Sequence, residues 1–182
     1  MKKTVLTFGL ISGAVSSGMM LLTLPFLDRI GFDRGEILGY TTIVLSFLLV
    51  FFGVRSYRET SGGTMTFGRG LAVGLLITLI SCACYVVTWE IIYFKLTPDF
   101  GEKYSAYVIE HLKASGANQQ AIDASARQMQ DFQAMLNNPW MNAAITFTEP
   151  FPIGLVVTFV SAAVLRKKGE AKKPAVGVTP ST

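Results

Sequence analysis

Residues 71–94 read LAVGLLITLISCACYVVTWEIIYF, a run whose only charge is Glu90. At about 1.5 Å per residue, a helix this long spans the roughly 30 Å hydrocarbon core of a bilayer. Three more runs share its character: 4–27 and 37–54 carry no charge, and 143–165 carries only Glu149. Of the 182 residues, 51% are hydrophobic and 15% charged, and a water-soluble domain of this size could not hide four such runs. The fold class expected is therefore all-α: a polytopic membrane protein with four transmembrane helices, at about 4–27, 37–54, 70–94 and 143–165. Residues 1–168 form one membrane domain, and 169–182 read as a disordered basic cytoplasmic tail.

The net charge of +4 comes from the flanks of these runs. Lys2 and Lys3 precede the first, and Arg55, Arg58 and Arg69 lie between the second and third. Arg166, Lys167, Lys168, Lys172 and Lys173 follow the fourth. Lysine and arginine close to span ends mark the cytoplasmic side, so both termini are expected inside and the long third connection outside. There is no basic stripe of the kind that binds nucleic acid. The lipid bilayer is the expected partner, with a second copy or another membrane protein as the further class. The Met1-Lys2-Lys3 start also resembles a secretory signal, but the apolar stretch exceeds the usual 7–15 residues and reads as a retained span.

Cys82 and Cys84 lie about 200° apart around a helix and cannot pair with each other there. With no other soft ligand close by in sequence, no metal site and no cofactor are expected. Gly9 and Gly13 in the first span, and Gly70 and Gly74 entering the third, have the four-residue spacing that lets helices approach closely. Gly35 and Gly39 repeat it before the second. Dimerisation is one reading of these stripes; packing within one bundle is the other, and a polytopic chain must bury its own seams first. Pro25 is placed to end or kink the first span.

The inner connection holds Arg55, Tyr57, Arg58, Glu59 and Arg69 around a Gly62-Gly63 turn, with Thr66 as N-cap of the third span. These side chains are a candidate interaction site for a partner or a lipid phosphate; a solvated turn with interfacial anchors is the simpler account. The outer segment reads as an αα-hairpin over about 98–137. Phe100, Tyr104, Tyr107, Val108, His111 and Leu112 share one helical face, Gly116 stops that helix, and Asn118 caps a second bearing Ile122, Met129, Phe132 and Leu136. The two stripes are expected to pack on each other, with a partner protein as the alternative. His111, the single histidine, reads as an interfacial packing residue because no partner for general-base work is evident.

Glu90 and Glu149 are the candidate proton or cation site, since ionisable groups inside a membrane are expensive. Both are expected near the outer end and shallow. Glu149, followed by Pro150 and Pro152, has a structural account at a helix start, where a carboxylate is favoured by about 0.3–1 kcal/mol. Glu90 would find a hydrogen-bond or ion-pair partner in Tyr85, Tyr93, Lys95 or Arg29.

Three stretches taken together carry a family likeness: Arg55-Ser56-Tyr57-Arg58-Glu59 with Thr66-Phe67-Gly68-Arg69-Gly70, Thr97-Pro98-Asp99-Phe100 with Tyr104, and Thr146-Phe147-Thr148-Glu149 with Pro152-Ile153-Gly154-Leu155. The chain resembles, over nearly its whole length, an uncharacterised bacterial four-span inner-membrane family (domain of unknown function 4199). That resemblance implies four spans and a bacterial inner membrane, and transfers no activity. The sequence carries no zinc-protease, nucleophile-elbow, phosphate-loop, haem or paired-cysteine pattern, so an enzyme is not expected. The expectation is a non-enzymatic structural, interaction or envelope accessory protein. The alternative is a small oligomeric proton- or cation-coupled transporter using Glu90 and Glu149, with both acids facing one water-reachable cavity.

Overall fold

The computed structural model describes residues 1–167. The tail expected at 169–182, and Lys168 with it, lies outside the described residues. Helix α1, Lys2–Thr23, ends where Pro25 lacks the N–H needed to continue it, and Leu24–Phe26 form a tight 3-10 turn. A short α2, Leu27–Ile30, leads to Gly31, whose φ of 77° is readily adopted only by glycine. Helix α3 then runs Phe32–Thr60. The connection read from sequence as a loop before Ile37 is thus mostly helical, and the second span extends past both expected ends. Its added turns carry Asp33, Arg34, Glu36, Arg55, Arg58 and Glu59, charges that a helix tolerates once it leaves the hydrocarbon.

Helix α4, Phe67–Ile91, opens with the expected cap: Thr66 Oγ1 accepts from the Arg69 N–H at 3.4 Å. It widens into a π turn at Ile92–Leu96. Helix α5 covers Phe100–Ala114, two residues later than the start near 98 expected, and the Thr97 hydroxyl before it donates to the Ile92 carbonyl at 3.2 Å. Gly116 turns the chain at φ 77°, and Asn118 Oδ1 caps α6, Gln119–Leu136, through the Ala121 N–H at 2.8 Å. Asn138 caps α7, Pro139–Thr148, and α8, Pro150–Leu165, follows directly.

Among the described residues, four helical stretches are long and apolar enough to cross a membrane: Lys2–Phe26, Phe32–Thr60, Phe67–Leu96 and Pro139–Leu165. The protein is an all-α, multi-pass membrane protein. Helices α3 and α4 touch along the centre, while α1 and α8 each pack against both of them. Leu6, Leu10, Leu45, Val87, Val156 and Val164 stay exposed on the perimeter, where lipid tails belong. The centre mixes aliphatic groups with buried hydroxyls. Ser12 donates to the Ser46 carbonyl at 2.9 Å, Ser81 to the Gly9 carbonyl at 3.2 Å, and the Thr78 and Thr158 hydroxyls meet at 3.0 Å. At the end where α1 begins and α8 finishes, Met65 and Lys167 exchange both backbone hydrogen bonds at 3.0 Å and tie the 61–66 turn to the last span.

The glycine stripes lie inside this bundle. A Cβ on Gly9 would come within 2.8 Å of Ile80, and one on Gly13 within 2.6 Å of Cys84, both on α4. On Gly70 and Gly74 it would meet Met65, Ala162 and Thr158. These four glycines therefore serve seams between the chain's own helices. Gly39 is different: nothing lies within 4 Å of its added Cβ.

The two hairpin helices pack on each other, and α5 also reaches the bundle through its rings. Phe32, at the start of α3, meets the rings of Phe100, Tyr104 and Tyr107 at 5.8, 5.5 and 5.1 Å, and Phe100 also meets Trp89 at 5.1 Å. Between α5 and α6, Gln133 Nε2 donates to the Gly101 carbonyl. The expected packing of the two hairpin helices on each other is present, and the ring contacts from α5 to α3 and α4 set the pair as a lid over the end of the bundle. An exposed Asp99–Lys103 pair at 2.9 Å braces its first turn, and this hydrogen bond holds the Asp99 carboxyl below its usual range.

Candidate functional site

The fourth span decides the site. Pro150 has no N–H for the Thr146 carbonyl, which accepts from Glu149 N instead at 3.3 Å. Pro152 likewise has none to offer the Thr148 carbonyl four residues back. Two prolines therefore break the span into α7 and α8 at Glu149. Counted from Pro139, Glu149 lies about 15 Å along the helix, at 1.5 Å per residue. The Pro150-Pro152 pair marks a helix start, but Asn138 and Pro139 start an earlier helix within the same apolar stretch, so Glu149 lies further from its beginning than the sequence suggested. Glu149 makes no side-chain cap for α8. Its carboxylate instead accepts a hydrogen bond from the Tyr85 hydroxyl on α4 at 3.0 Å.

Glu149 lines a cavity of about 650 Å³ at the hairpin end of the bundle. The ends of α1, α3 and α4 form its walls, the α7–α8 break its floor, and the hairpin its roof through Phe100, Tyr104, Met129 and Phe132. Glu36 and Tyr40, one helical turn apart on α3, line it too, and both lie within electrostatic reach of Glu149. None of the lining residues is Lys, Arg or His.

The framework around the cavity is held by Asn142. Its side chain is fully buried, accepts from the Trp89 indole N–H at 3.0 Å and from Thr146 at 3.2 Å, and donates to the Leu136 carbonyl at 3.0 Å. One amide thus joins α4, the end of the hairpin and the fourth span. Residues 7–167 match the sequence pattern of the family described as a protein of unknown function (DUF4199). The chain belongs to that family. Neither the curated proteins nor the solved structures yield a match to this DUF4199 chain.

Glu90 is not brought to the same place. It is half-buried near the end of α4 and is not among the residues lining the cavity. Its Oε1 is enclosed without a hydrogen-bond partner, so the expected pairing with Tyr85, Tyr93, Lys95 or Arg29 does not form there. Tyr85 is already engaged by Glu149. In the connection at the other end, Arg55 and Glu59 pair with each other at 2.9 Å, each more than half exposed, an interaction worth about 0.3–0.5 kcal/mol. Tyr57 packs in part against the core, Arg58 is half-buried, and Arg69 is exposed. His111 is exposed and stands against the Tyr107 ring at 5.1 Å.

Sequence reasoning missed Glu36, Tyr40 and Trp89 as members of the site. Their signal was available once α3 is started at Phe32: Glu36 and Tyr40 then fall four apart on one helical face, directly behind the Gly31 turn.

Proposed function

We propose that this DUF4199 protein is a non-enzymatic accessory protein of the bacterial inner membrane that binds a small ligand in the cavity beneath its hairpin. Both termini face the cytoplasm and the hairpin faces outward. The observation that carries the reading is the cavity itself: it has the size of small-molecule sites, about 300–1,000 Å³, is mostly apolar, and holds one hydrogen-bonded carboxylate at the break of a span. No cofactor is part of this reading. The orientation rests on the lysines and arginines that flank the spans at the end where α1 begins and α8 finishes. Labelling of Ser115→Cys by a membrane-impermeant thiol reagent from the cytoplasmic side alone would overturn it.

The second reading, proton- or cation-coupled transport, is favoured by one specific observation. Broken spans are where transporters build their ion sites, using freed carbonyls and helix ends. In this reading Glu149 is the working acid and a second copy of the chain completes the pathway. The two readings part in proteoliposomes under a pH gradient. Binding without transport predicts proton flux at the level of empty vesicles. Flux above that level, abolished by Glu149→Gln and retained by Glu90→Gln, would replace the first reading with the second.

A further inference from the structure

The chemistry of the cavity wall specifies the class of ligand. Glu149 from the helix break and Glu36 from α3 supply two carboxylates to one space, and no basic side chain lines it to balance them. Glu149 is half-buried and Glu36 exposed, and carboxylates left unbalanced in a concave site attract cations and repel anions. The rest of the wall is mostly apolar, with some hydroxyls, and is rich in rings, with Tyr40, Trp89, Phe100 and Tyr104 among them. Aromatic faces attract cations within about 6 Å of the ring centre, and most strongly where water is excluded. A bare divalent metal fits poorly, since such ions take six or more oxygen ligands. Among the described residues, no three His, Cys, Asp or Glu side chains stand together to hold a metal.

We propose that the cavity binds a hydrophobic organic cation, a protonated amine or quaternary centre carrying an aromatic or branched alkyl body, with Glu149 as its principal counter-charge and Glu36 as the second. The inference rests on the reading of the cavity as a ligand site, and adds the charge and character of the ligand. A surface depression formed by Asp33, Glu36, Ile37, Tyr40 and Thr41 adjoins the cavity and shares Glu36 and Tyr40 with it. Asp33 and Glu36 thus make an acidic mouth that raises the local concentration of cations at the hairpin end.

The chain supplies its own reporter. It has two tryptophans, Trp89 in the cavity wall and Trp140, which is 86% exposed. Trp140→Phe leaves Trp89 as the single indole, and its emission can be followed in the full-length protein in detergent. The probes are tetraphenylphosphonium and its neutral relative triphenylphosphine oxide. Tetraphenylphosphonium is expected to change Trp89 emission saturably, and the neutral compound to bind at least tenfold more weakly. Adding Glu149→Gln should weaken the cation at least tenfold, and Glu36→Gln several-fold, with circular dichroism unchanged. Equal binding of the two probes, or a cation affinity indifferent to Glu149→Gln, overturns the charge assignment while leaving a ligand site in place. Saturable binding of neither probe overturns both.

Discussion

Gly154→Leu is expected to lower stability by more than about 3 kcal/mol. A Cβ at position 154 would stand 2.5 Å from Thr78 Cγ2 and 2.8 Å from Phe47 Cε1, inside real contact distances, so α8 must move away from α3 and α4. Overpacking a filled core costs about 1–3 kcal/mol, and leucine adds three further carbons beyond that Cβ. The same displacement parts the Thr78–Thr158 hydroxyl pair and the bond from Thr78 to the Gly154 carbonyl, each worth about 0.6 kcal/mol in a membrane bundle. At about 2–4 °C per kcal/mol, the midpoint of thermal unfolding in detergent should fall by about 10 °C. Gly39→Ala is the matched control and should not lower it, because that Cβ enters open space. Equal melting of both variants and the native protein would mean that the α4–α8 seam is looser than described.

Asn142→Leu is expected to cost about 2–5 kcal/mol, although leucine has the same number of side-chain heavy atoms as asparagine. The substitution leaves the Trp89 indole N–H and the Leu136 carbonyl without partners, and each stranded buried group costs about 1–3 kcal/mol. The loss should concentrate at the hairpin, since Leu136 is its last residue and Trp89 meets Phe100 at its first. Limited proteolysis within 98–138 should therefore accelerate at least tenfold, with cleavage elsewhere changing far less. Uniform loss of protection across the chain would show that Asn142 serves the bundle rather than the lid.

Much of the architecture is legible from local rules. Thr66, Gly116 and Asn118 act as the caps and stops their side chains suggest, because capping depends on a few neighbouring residues. The Gly9/Gly13 and Gly70/Gly74 stripes are close approaches, whose partners depend on how the spans meet, while Gly39 of the Gly35/Gly39 pair approaches nothing. The site was harder to read because it depends on how spans meet. Glu149 and Tyr85 are 64 residues apart, and no periodicity announces their hydrogen bond. The proline pair after Glu149 marks a helix start, but Asn138 and Pro139 have already begun the apolar stretch. In sequence Glu90 and Glu149 stand as a pair, because both are acids inside apolar runs. The fold puts Glu149 on the cavity wall and leaves Glu90 off it.

The central claim is that the space beneath the hairpin is the working site of the molecule, and Gly39→Phe tests it most directly. Gly39 lines the cavity, and its Cβ would meet nothing, so phenylalanine can fill the space without prising helices apart. Equilibrium binding of tetraphenylphosphonium should be compared in native and Gly39→Phe protein in the same detergent. The account predicts saturable binding by the native chain and at least tenfold weaker binding by a variant that melts at the native temperature. Undiminished binding by a folded Gly39→Phe protein would contradict it.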